Sequence, residues 1–219
     1  MGLIADTPLE VDDEGLAVER DADAAGRIIG DRDIRLLLRE NRIALSRGET
    51  SRVSDTVCDV PLTCVVHSHP QCRFVWSRLM VDLTPTPDAV IKDMAPREVM
   101  ADQPVELKTT VGVGLKFEIA AKALSAEAKP EYSSSQTVYY PRIVSSGTGF
   151  TRGYWDFLAL GERYLHADRE LRLLVSAPEG RPVRARFQLR ARVRFGGLAG
   201  LIPLLARGGA IDEVHRLDE

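Results

Sequence analysis

Residues Val183 to Phe195 alternate strictly between apolar and polar side chains, and this pattern constrains the fold more than any other feature of the chain. The odd positions are apolar: Val183, Ala185, Phe187, Leu189, Ala191, Val193 and Phe195. The even positions are polar: Arg184, Arg186, Gln188, Arg190, Arg192 and Arg194. Because successive side chains of a strand point to opposite faces, the pattern predicts a half-buried β-strand. One face enters a core and the other carries a row of guanidinium groups.

Strand signals recur through the rest of the chain. Alternating or continuously apolar runs cover Val60–His67, Arg73–Leu83, Val105–Ala121 and Glu170–Val175, and turn-forming segments separate several of them. Successive strands without long intervening helices favour antiparallel pairing. We therefore predict an all-β, mainly antiparallel fold: a two-layer β-sandwich, immunoglobulin-like or related, with one or two short helices.

The two ends of the chain differ from this pattern. Residues 1–26 contain eight acidic side chains, one arginine and no aromatic side chain, which predicts a disordered, solvated tail. An alternative role for this tail is an acidic arm that masks a basic surface. Residues 27–206 are predicted to form a single β-sandwich domain, and residues 207–219 a polar C-terminal tail. Residues 27–46 fit either a hairpin turning at Glu40–Asn41 or a helix, and the β-like remainder of the chain favours the hairpin.

Composition narrows the class of protein. The 219 residues carry a formal net charge of −3, so binding to nucleic acid or anionic lipid would need a local basic patch. Arginine far outnumbers lysine, which suggests a GC-rich, bacterial genome. The chain shows no secretory-signal pattern, no apolar run of the roughly 20 residues that a spanning helix needs, and an odd number of cysteines. We expect a bacterial cytoplasmic protein.

All three cysteines and two of the four histidines fall between residues 58 and 72. Cys64 and His67, like His69 and Cys72, are separated by two residues, a spacing that can place two zinc ligands around one turn. These four side chains are the candidate metal ligands, with zinc as the candidate ion. A thiolate nucleophile paired with His67 or His69 is an alternative. If Thr63–His67 is a strand, however, Cys64 and His67 point to opposite faces, and lone strand cysteines are commonly small buried apolar residues.

The arginine row is a candidate anion- or partner-binding surface. Its residues are Arg184, Arg186, Arg190, Arg192 and Arg194. Alternate strand residues are about 6.6 Å apart, and guanidinium groups chelate phosphate well. Single-strand nucleic-acid binders also need aromatic side chains on the binding face, whereas Phe187 and Phe195 lie among the apolar positions. The alternative is a purely structural role, in which the face is solvated and its arginines pair across strands with acids such as Glu170.

A short apolar segment follows the arginine row. Its candidate docking residues are Leu198, Leu201, Ile202, Leu204 and Leu205. Glycine pairs bracket the segment and Pro203 interrupts it, so the favoured interpretation is a cap over one end of the sandwich. The alternative is an exposed patch that docks a partner subunit or a membrane.

Residues 105–144 suggest a third kind of function. Two long segments rich in serine, threonine and alanine, joined at Lys129–Glu131, resemble in pattern the hairpins that pore-forming proteins insert as barrel strands. Such strands need about 9–11 residues of alternation. Val111–Ala121 supplies that length, whereas Pro141 interrupts Tyr132–Val144.

The sequence contains no nucleophile elbow, phosphate-binding loop or dinucleotide-binding glycine pattern. We therefore expect a non-enzymatic protein-interaction or assembly module without a cofactor, acting through a protein partner or self-association rather than nucleic acid. The first alternative is a zinc-binding or thiol enzyme centred on Cys58–Cys72. The second is a membrane-active, pore-forming protein that uses a hairpin within residues 105–144.

Overall fold

A computed structural model describes residues 2–18, 32–100, 105–111, 115–120, 133–138, 141–159, 169–196, 201–206, 211 and 213–218. Two short helices are α1, Asp13–Val18, and α2, Arg32–Arg39. The strands before residue 101 are β1 Gly2–Val11, β2 Arg42–Arg47, β3 Ser51–Ser54, β4 Val57–His67, β5 Cys72–Asp82, β6 Val90–Ala95 and β7 Glu98–Met100. The later strands are β8 Val105–Val111, β9 Leu115–Ala120, β10 Ser133–Val138, β11 Pro141–Ser146, β12 Arg152–Leu158, β13 Arg169–Ser176, β14 Arg184–Phe195, β15 Ile202–Ala206 and β16 His215–Arg216.

Thirteen of these strands form one sheet. Its order is β6-β13-β4-β2-β1-β15-β14-β5-β12-β11-β7, with β16 paired to β14 and β3 paired to β4. The other three form a separate sheet of order β10-β8-β9. All described strand pairs are antiparallel. The predicted all-β, mainly antiparallel class with one or two short helices is therefore confirmed.

The large sheet curls into a nearly closed barrel. Its two end strands, β6 and β7, follow each other directly in the chain. The backbone of Ile91 in β6 accepts a hydrogen bond from Gly149 (2.7 Å) and donates one to Phe150 (2.9 Å), in the turn between β11 and β12. The expected two-layer, immunoglobulin-like sandwich is thus not clearly present, because one continuous hydrogen-bonded path runs from one end strand to the other.

Gly153 permits this close approach between β12 and β6. A Cβ atom there would lie 2.6 Å from Cδ1 of Ile91, 2.8 Å from the sulfur of Met94 and 2.9 Å from the carbonyl oxygen of Ser146. Distances this short force a neighbour to move, and the Ser146 oxygen belongs to the backbone. Only glycine therefore fits where the barrel nearly closes.

The strand β14 confirms the alternation that the sequence predicts. Ala185, Leu189 and Val193 are fully buried on its inner side, whereas each arginine of the even positions is exposed. The inner residues pack into a single core with apolar residues from β1, β2, β4, β5, β12 and β13. Its largest fully buried side chains are Trp155 and Phe157 of β12. Close packing of such residues supplies most of the stability of a fold like this.

The N-terminal segment differs from the predicted disordered tail. Residues Gly2–Val11 form β1, which pairs with β2 on one side and with β15 on the other. Ala5, Thr7 and Leu9 are buried, while the intervening Asp6 is exposed. The alternation is therefore present in the sequence, but the high acidic content hides it. Residues 19–31 lie outside the described part of the chain.

The segment after residue 31 also differs from the favoured hairpin. Arg32–Arg39 form α2, and only the return strand, β2, is present. Glu40 and Asn41 connect α2 to β2 instead of joining two strands, and the amide groups of both residues bond to carbonyls of the last helical turn. Leucine and arginine are good helix formers, and Leu38 is fully buried at the helix end.

The C-terminal segment is docked rather than a free polar tail in its described part. Ile211 and Leu217 are fully buried, and His215–Arg216 pair with the start of β14. The amide of Leu217 donates to the carbonyl of Val183 at 2.7 Å. Burial of Ile211 and Leu217 therefore holds this segment against the core, although most of its other residues are polar.

The predicted docking patch lies mostly in the core. Ile202 and Leu204 are at most 2% exposed, because β15 lies between β1 and β14 in the large sheet. Leu201 and Leu205 are partly exposed, and Leu198 lies outside the described residues. The predicted cap is likewise replaced by a sheet strand, which pairs with the preceding strand β14 and with the distant N-terminal strand β1.

Candidate binding surface

The arginines of β14 lie on the outer face of the barrel. Arg184, Arg186, Arg190, Arg192 and Arg194 are all exposed. The side chains of Arg186, Arg190 and Arg194 form no ion pair with any residue that the structure describes. Pairing with Glu170, which the sequence suggested, does not occur, because Glu170 lies on β13 opposite Thr63 of β4. The described neighbours of β14 are β5, β15 and β16.

The strands β5 and β12 extend this outer face. Directly opposed residues of antiparallel strands lie on the same side of a sheet. Across β14, β5 and β12, four rows therefore share the outer face: Arg192–Trp76–Leu158, Arg190–Arg78–Asp156, Gln188–Met80–Tyr154 and Arg186–Asp82–Arg152. Arg194 and Arg73 form a fifth row. We call these residues the arginine–aromatic face.

Arg78 is at the centre of the arginine–aromatic face. Its Nε and Nη2 atoms each donate to one carboxylate oxygen of Asp156, both at 2.7 Å. Its guanidinium carbon lies 3.9 Å from the ring centre of Tyr154 and 5.4 Å from that of Trp76. The hydrogen bonds to Asp156 raise the pKa of Arg78 further above its ordinary value. Arg78 is thus a permanent cation, and it is held rigidly over two aromatic rings.

The two ends of the face carry different contacts. At one end, the guanidinium of Arg192 lies 5.5 Å from the ring centre of Trp76. At the other, Asp82 accepts hydrogen bonds from the amide of Thr84 (2.8 Å) and Nε of Arg152 (3.0 Å). Burial opposes ionisation of Asp82, but the bonds from Thr84 and Arg152 outweigh it and lower its pKa. Both acids of the face are therefore already occupied by arginines outside β14.

The sequence predicted half of this surface. The arginine row was visible because β14 alternates without a break. The strand signal of Arg73–Leu83 corresponds to β5, which lies between β14 and β12 in the large sheet. The position of Trp76 beside Arg192 was not visible, because it depends on long-range pairing and on an irregular register between Arg192 and Val193. The outer face of β14 has no aromatic side chain of its own, and its neighbours β5 and β12 supply Trp76 and Tyr154.

The cysteine–histidine segment is spread over different surroundings. Cys64 is fully buried within β4, and His67 is exposed at the end of that strand. Cys72 is buried at the start of β5, and four strands lie between β5 and β4 along the sheet. Among the described residues, no three histidine, cysteine, aspartate or glutamate side chains are grouped so that they could hold a metal ion. The placement of these residues therefore lends zinc binding no support.

A buried asparagine organises the second half of this segment. Asn41 Nδ2 donates to the carbonyl of Leu38 (2.7 Å) and to the sulfur of Cys72 (3.3 Å), and Asn41 Oδ1 accepts from the amide of His69 (2.9 Å). Nε2 of His69 lies 3.4 Å from a carboxylate oxygen of Glu40. These contacts tie the turn before β5 to the end of α2, which is a structural role.

The thiols are poorly suited to nucleophilic catalysis. Burial raises the pKa of Cys64 to about 12, and burial also raises the pKa of Cys72 and of Cys58. A catalytic cysteine needs the opposite shift, because the thiolate is the nucleophile. At neutral pH all three groups are protonated.

The second sheet lies within the segment singled out as a hairpin. Its central strand β8 pairs with β9, placing Leu107 opposite Ile119 and Val111 opposite Leu115. On its other side β8 pairs with β10, from Val105–Val138 to Thr110–Ser133. The two long segments of the sequence prediction therefore do pair, but only as far as Val138. Residues 141–146 belong to β11 of the large sheet.

The chain leaves and re-enters the large sheet at one point around this segment. Met100 of β7 is directly opposite Pro141 of β11. Residues 101–140 are thus an excursion between two paired strands, and β8, β9 and β10 share no hydrogen-bonded ladder with the large sheet. Neither described helix is long and apolar enough to cross a membrane.

The chain is similar to solved structures at low sequence identity. No family model matches the chain, and no curated protein matches it. Among solved structures, Clostridium perfringens delta-toxin matches with a TM-score of 0.27 and 8% identity, over 76% of this chain and 86% of that one. A structure described as a pore forming protein matches with a TM-score of 0.32 and 10% identity, over 81% of this chain and 85% of that one. Neither similarity assigns the chain to a family.

Proposed function

We propose that this chain is a non-enzymatic, membrane-active protein that inserts part of residues 105–138 into a bilayer as β-strands. The observation that carries the proposal is the separate three-stranded antiparallel sheet formed by β8, β9 and β10. Three strands are close to the smallest sheet that is stable on its own in water, and the apolar side of such a sheet favours cover by another surface. A membrane or a neighbouring surface can supply that cover.

The alternation of β8 and β9 fits a strand with one lipid-facing side. Odd positions from Val105 to Ala123 are apolar or threonine, and most even positions are charged, threonine or glycine. The same alternation continues through residues 112–114, which connect β8 to β9 in the sequence, with valine at the odd position and glycine at the two even positions. These residues can therefore serve either as two paired short strands or as one longer amphipathic strand. The run exceeds the 9–11 residues or so that a tilted strand needs to span a bilayer.

The structure weakens the features behind the other two functions. The protein-interaction module relied on an exposed apolar segment at Leu198–Leu205, of which Ile202 and Leu204 are core residues. The zinc or thiol enzyme relied on Cys64 and Cys72, which are buried thiols with raised pKa values. The arginine–aromatic face remains as a binding surface without a catalytic group of its own.

Dye release from liposomes tests the proposal, with two adjacent substitutions as a matched pair. Ile119→Asp places a charge in the apolar series, and Ala120→Asp places the same charge in the polar series. We expect the wild type and Ala120→Asp to release dye and Ile119→Asp to lose release, because a charge on the lipid face is costly. Both variants should keep the wild-type unfolding temperature. Intact liposomes with the wild type, or equal release by both variants, would overturn the proposal.

A further inference from the structure

We infer that the arginine–aromatic face binds the phosphate groups of an anionic lipid surface. This inference rests on the proposed membrane function and adds the site of first contact. The face carries seven arginines, Arg73, Arg78, Arg152, Arg186, Arg190, Arg192 and Arg194, against two aspartates, Asp82 and Asp156. On a chain whose net charge is −3, it is a local basic patch of the kind that binding to anionic lipid requires.

Like charges oppose each other within the face. Arg190 of β14 is directly opposite Arg78 of β5, and like charges at such positions are unfavourable. Asp156 offsets Arg78 and Asp82 offsets Arg152. Arg186, Arg190 and Arg194 have no such acid among the described residues. Binding of an external anion between these arginines would relieve their mutual repulsion. The exposed arginines contribute nothing to the apolar core of the fold.

The spacing of the charges suits many phosphates at once. From Arg186 to Arg194 the row extends about 26 Å along the strand, and the three strands together are about 10 Å wide. Partly exposed Trp76, Met80 and Tyr154 lie among the charges. Tryptophan and tyrosine favour the boundary between water and lipid because they combine an apolar ring with a polar group.

The aromatic rings favour a lipid surface over single-stranded nucleic acid. Base stacking needs an open ring face. The guanidinium of Arg78 lies 3.9 Å from the ring centre of Tyr154, and those of Arg78 and Arg192 lie 5.4 and 5.5 Å from that of Trp76. The rings thus pack against the arginines instead of offering open surfaces for base stacking. The face therefore presents guanidinium groups, which bind phosphate.

Vesicle co-sedimentation tests this inference with the full chain. The probes are vesicles of phosphatidylcholine alone and vesicles with about one third phosphatidylglycerol, at low and high salt. The test variant is Arg186→Gln/Arg190→Gln/Arg194→Gln. The control variant, Arg32→Gln/Arg97→Gln/Arg181→Gln, removes the same charge from exposed arginines outside the face. Because one basic residue near an anionic surface contributes about a fivefold change in binding, three should change it roughly 100-fold.

We expect the wild type and the control variant to bind the anionic vesicles in a salt-sensitive way and the test variant to lose roughly 100-fold in affinity. Equal binding by the test and control variants would overturn the inference. Binding of a single-stranded oligonucleotide in place of anionic vesicles, lost in the test variant, would overturn it in favour of nucleic acid.

The Ile119→Asp variant separates failure of this inference from failure of the proposed function. It should sediment with anionic vesicles like the wild type but release no dye. If the wild type and every variant bind the vesicles but none of them, the wild type included, releases dye, the insertion of residues 105–138 is contradicted and the role of the face in binding stands. Dye release that is equal for the test and control variants would contradict the role of the face alone.

Discussion

The inner and outer faces of the large sheet have opposite chemistry on the same strands. Along β14, each inner side chain is apolar and at most 8% exposed, while five of the six outer ones are exposed arginines. The inner face is explained by packing, since its residues meet apolar neighbours across the barrel. Packing does not explain the outer face, because Arg186, Arg190 and Arg194 form no ion pair with an acid among the described residues. Features that folding does not require are the better guide to function.

The largest contrast should appear between two adjacent residues of β14. Leu189 is fully buried, so Leu189→Ala should lower the free energy of unfolding by about 2–5 kcal/mol through lost contacts and a cavity. Arg190→Ala, on the outer face, should change it by less than about 0.5 kcal/mol. Urea denaturation followed by tryptophan fluorescence measures both. A loss for Arg190→Ala comparable to that for Leu189→Ala would mean that the arginine–aromatic face is part of the folding core.

The same contrast explains how much could be predicted from the sequence. The strand β14 was predicted on both faces because thirteen consecutive residues alternate. The strand β1 was missed because eight acidic side chains fall within residues 1–26, two of them, Asp6 and Glu10, in the strand itself, and this charge obscures the alternation of Ala5, Thr7 and Leu9. The strand β15 was missed because it is central and apolar on both sides, so it has no alternation to detect.

The candidate surface could be predicted only strand by strand. The arginine row needs only local periodicity. The contact of Arg192 with Trp76, and of Arg78 with Tyr154, needs knowledge of which strands are neighbours and in which register. Pairing between residues more than 70 positions apart is set by the packing of the whole barrel. The local pattern of a single sequence does not specify which strands become neighbours or in which register they pair.

A smaller effect is expected for the ion pair at the centre of the outer face. Arg78 and Asp156 make a bidentate contact whose side chains are 36% and 17% exposed. A double-mutant cycle with Arg78→Met and Asp156→Asn should give a coupling energy of about 1 kcal/mol, between the values for exposed and fully buried pairs. Thermal or urea unfolding of the four proteins measures it. A coupling energy near zero would mean that the pair serves to position Arg78 over its two rings without stabilising the fold.

The smallest effect is expected at the edge of the face and depends on pH. The bonds from Thr84 and Arg152 hold the pKa of Asp82 below its ordinary value of 3.8. The stabilisation from ionised Asp82 is therefore complete above that value and is lost as the pH falls through the lower, folded-state pKa. Asp82→Asn should lower the free energy of unfolding by about 0.5 kcal/mol at pH 7, because an exposed arginine pairs weakly.

Urea unfolding of the wild type and Asp82→Asn between pH 7 and pH 3 measures this difference. The gap between the two proteins should stay constant down to about pH 5 and then narrow. Replacing Arg152 by Gln should shrink the gap without removing it, since the bonds from Thr84 remain. A gap that widens with acidification would mean that burial, which opposes ionisation of Asp82, outweighs its hydrogen bonds. In that case Asp82 would take up its proton at a higher pH than an ordinary aspartate, and the positive charge of the outer face would increase earlier on acidification.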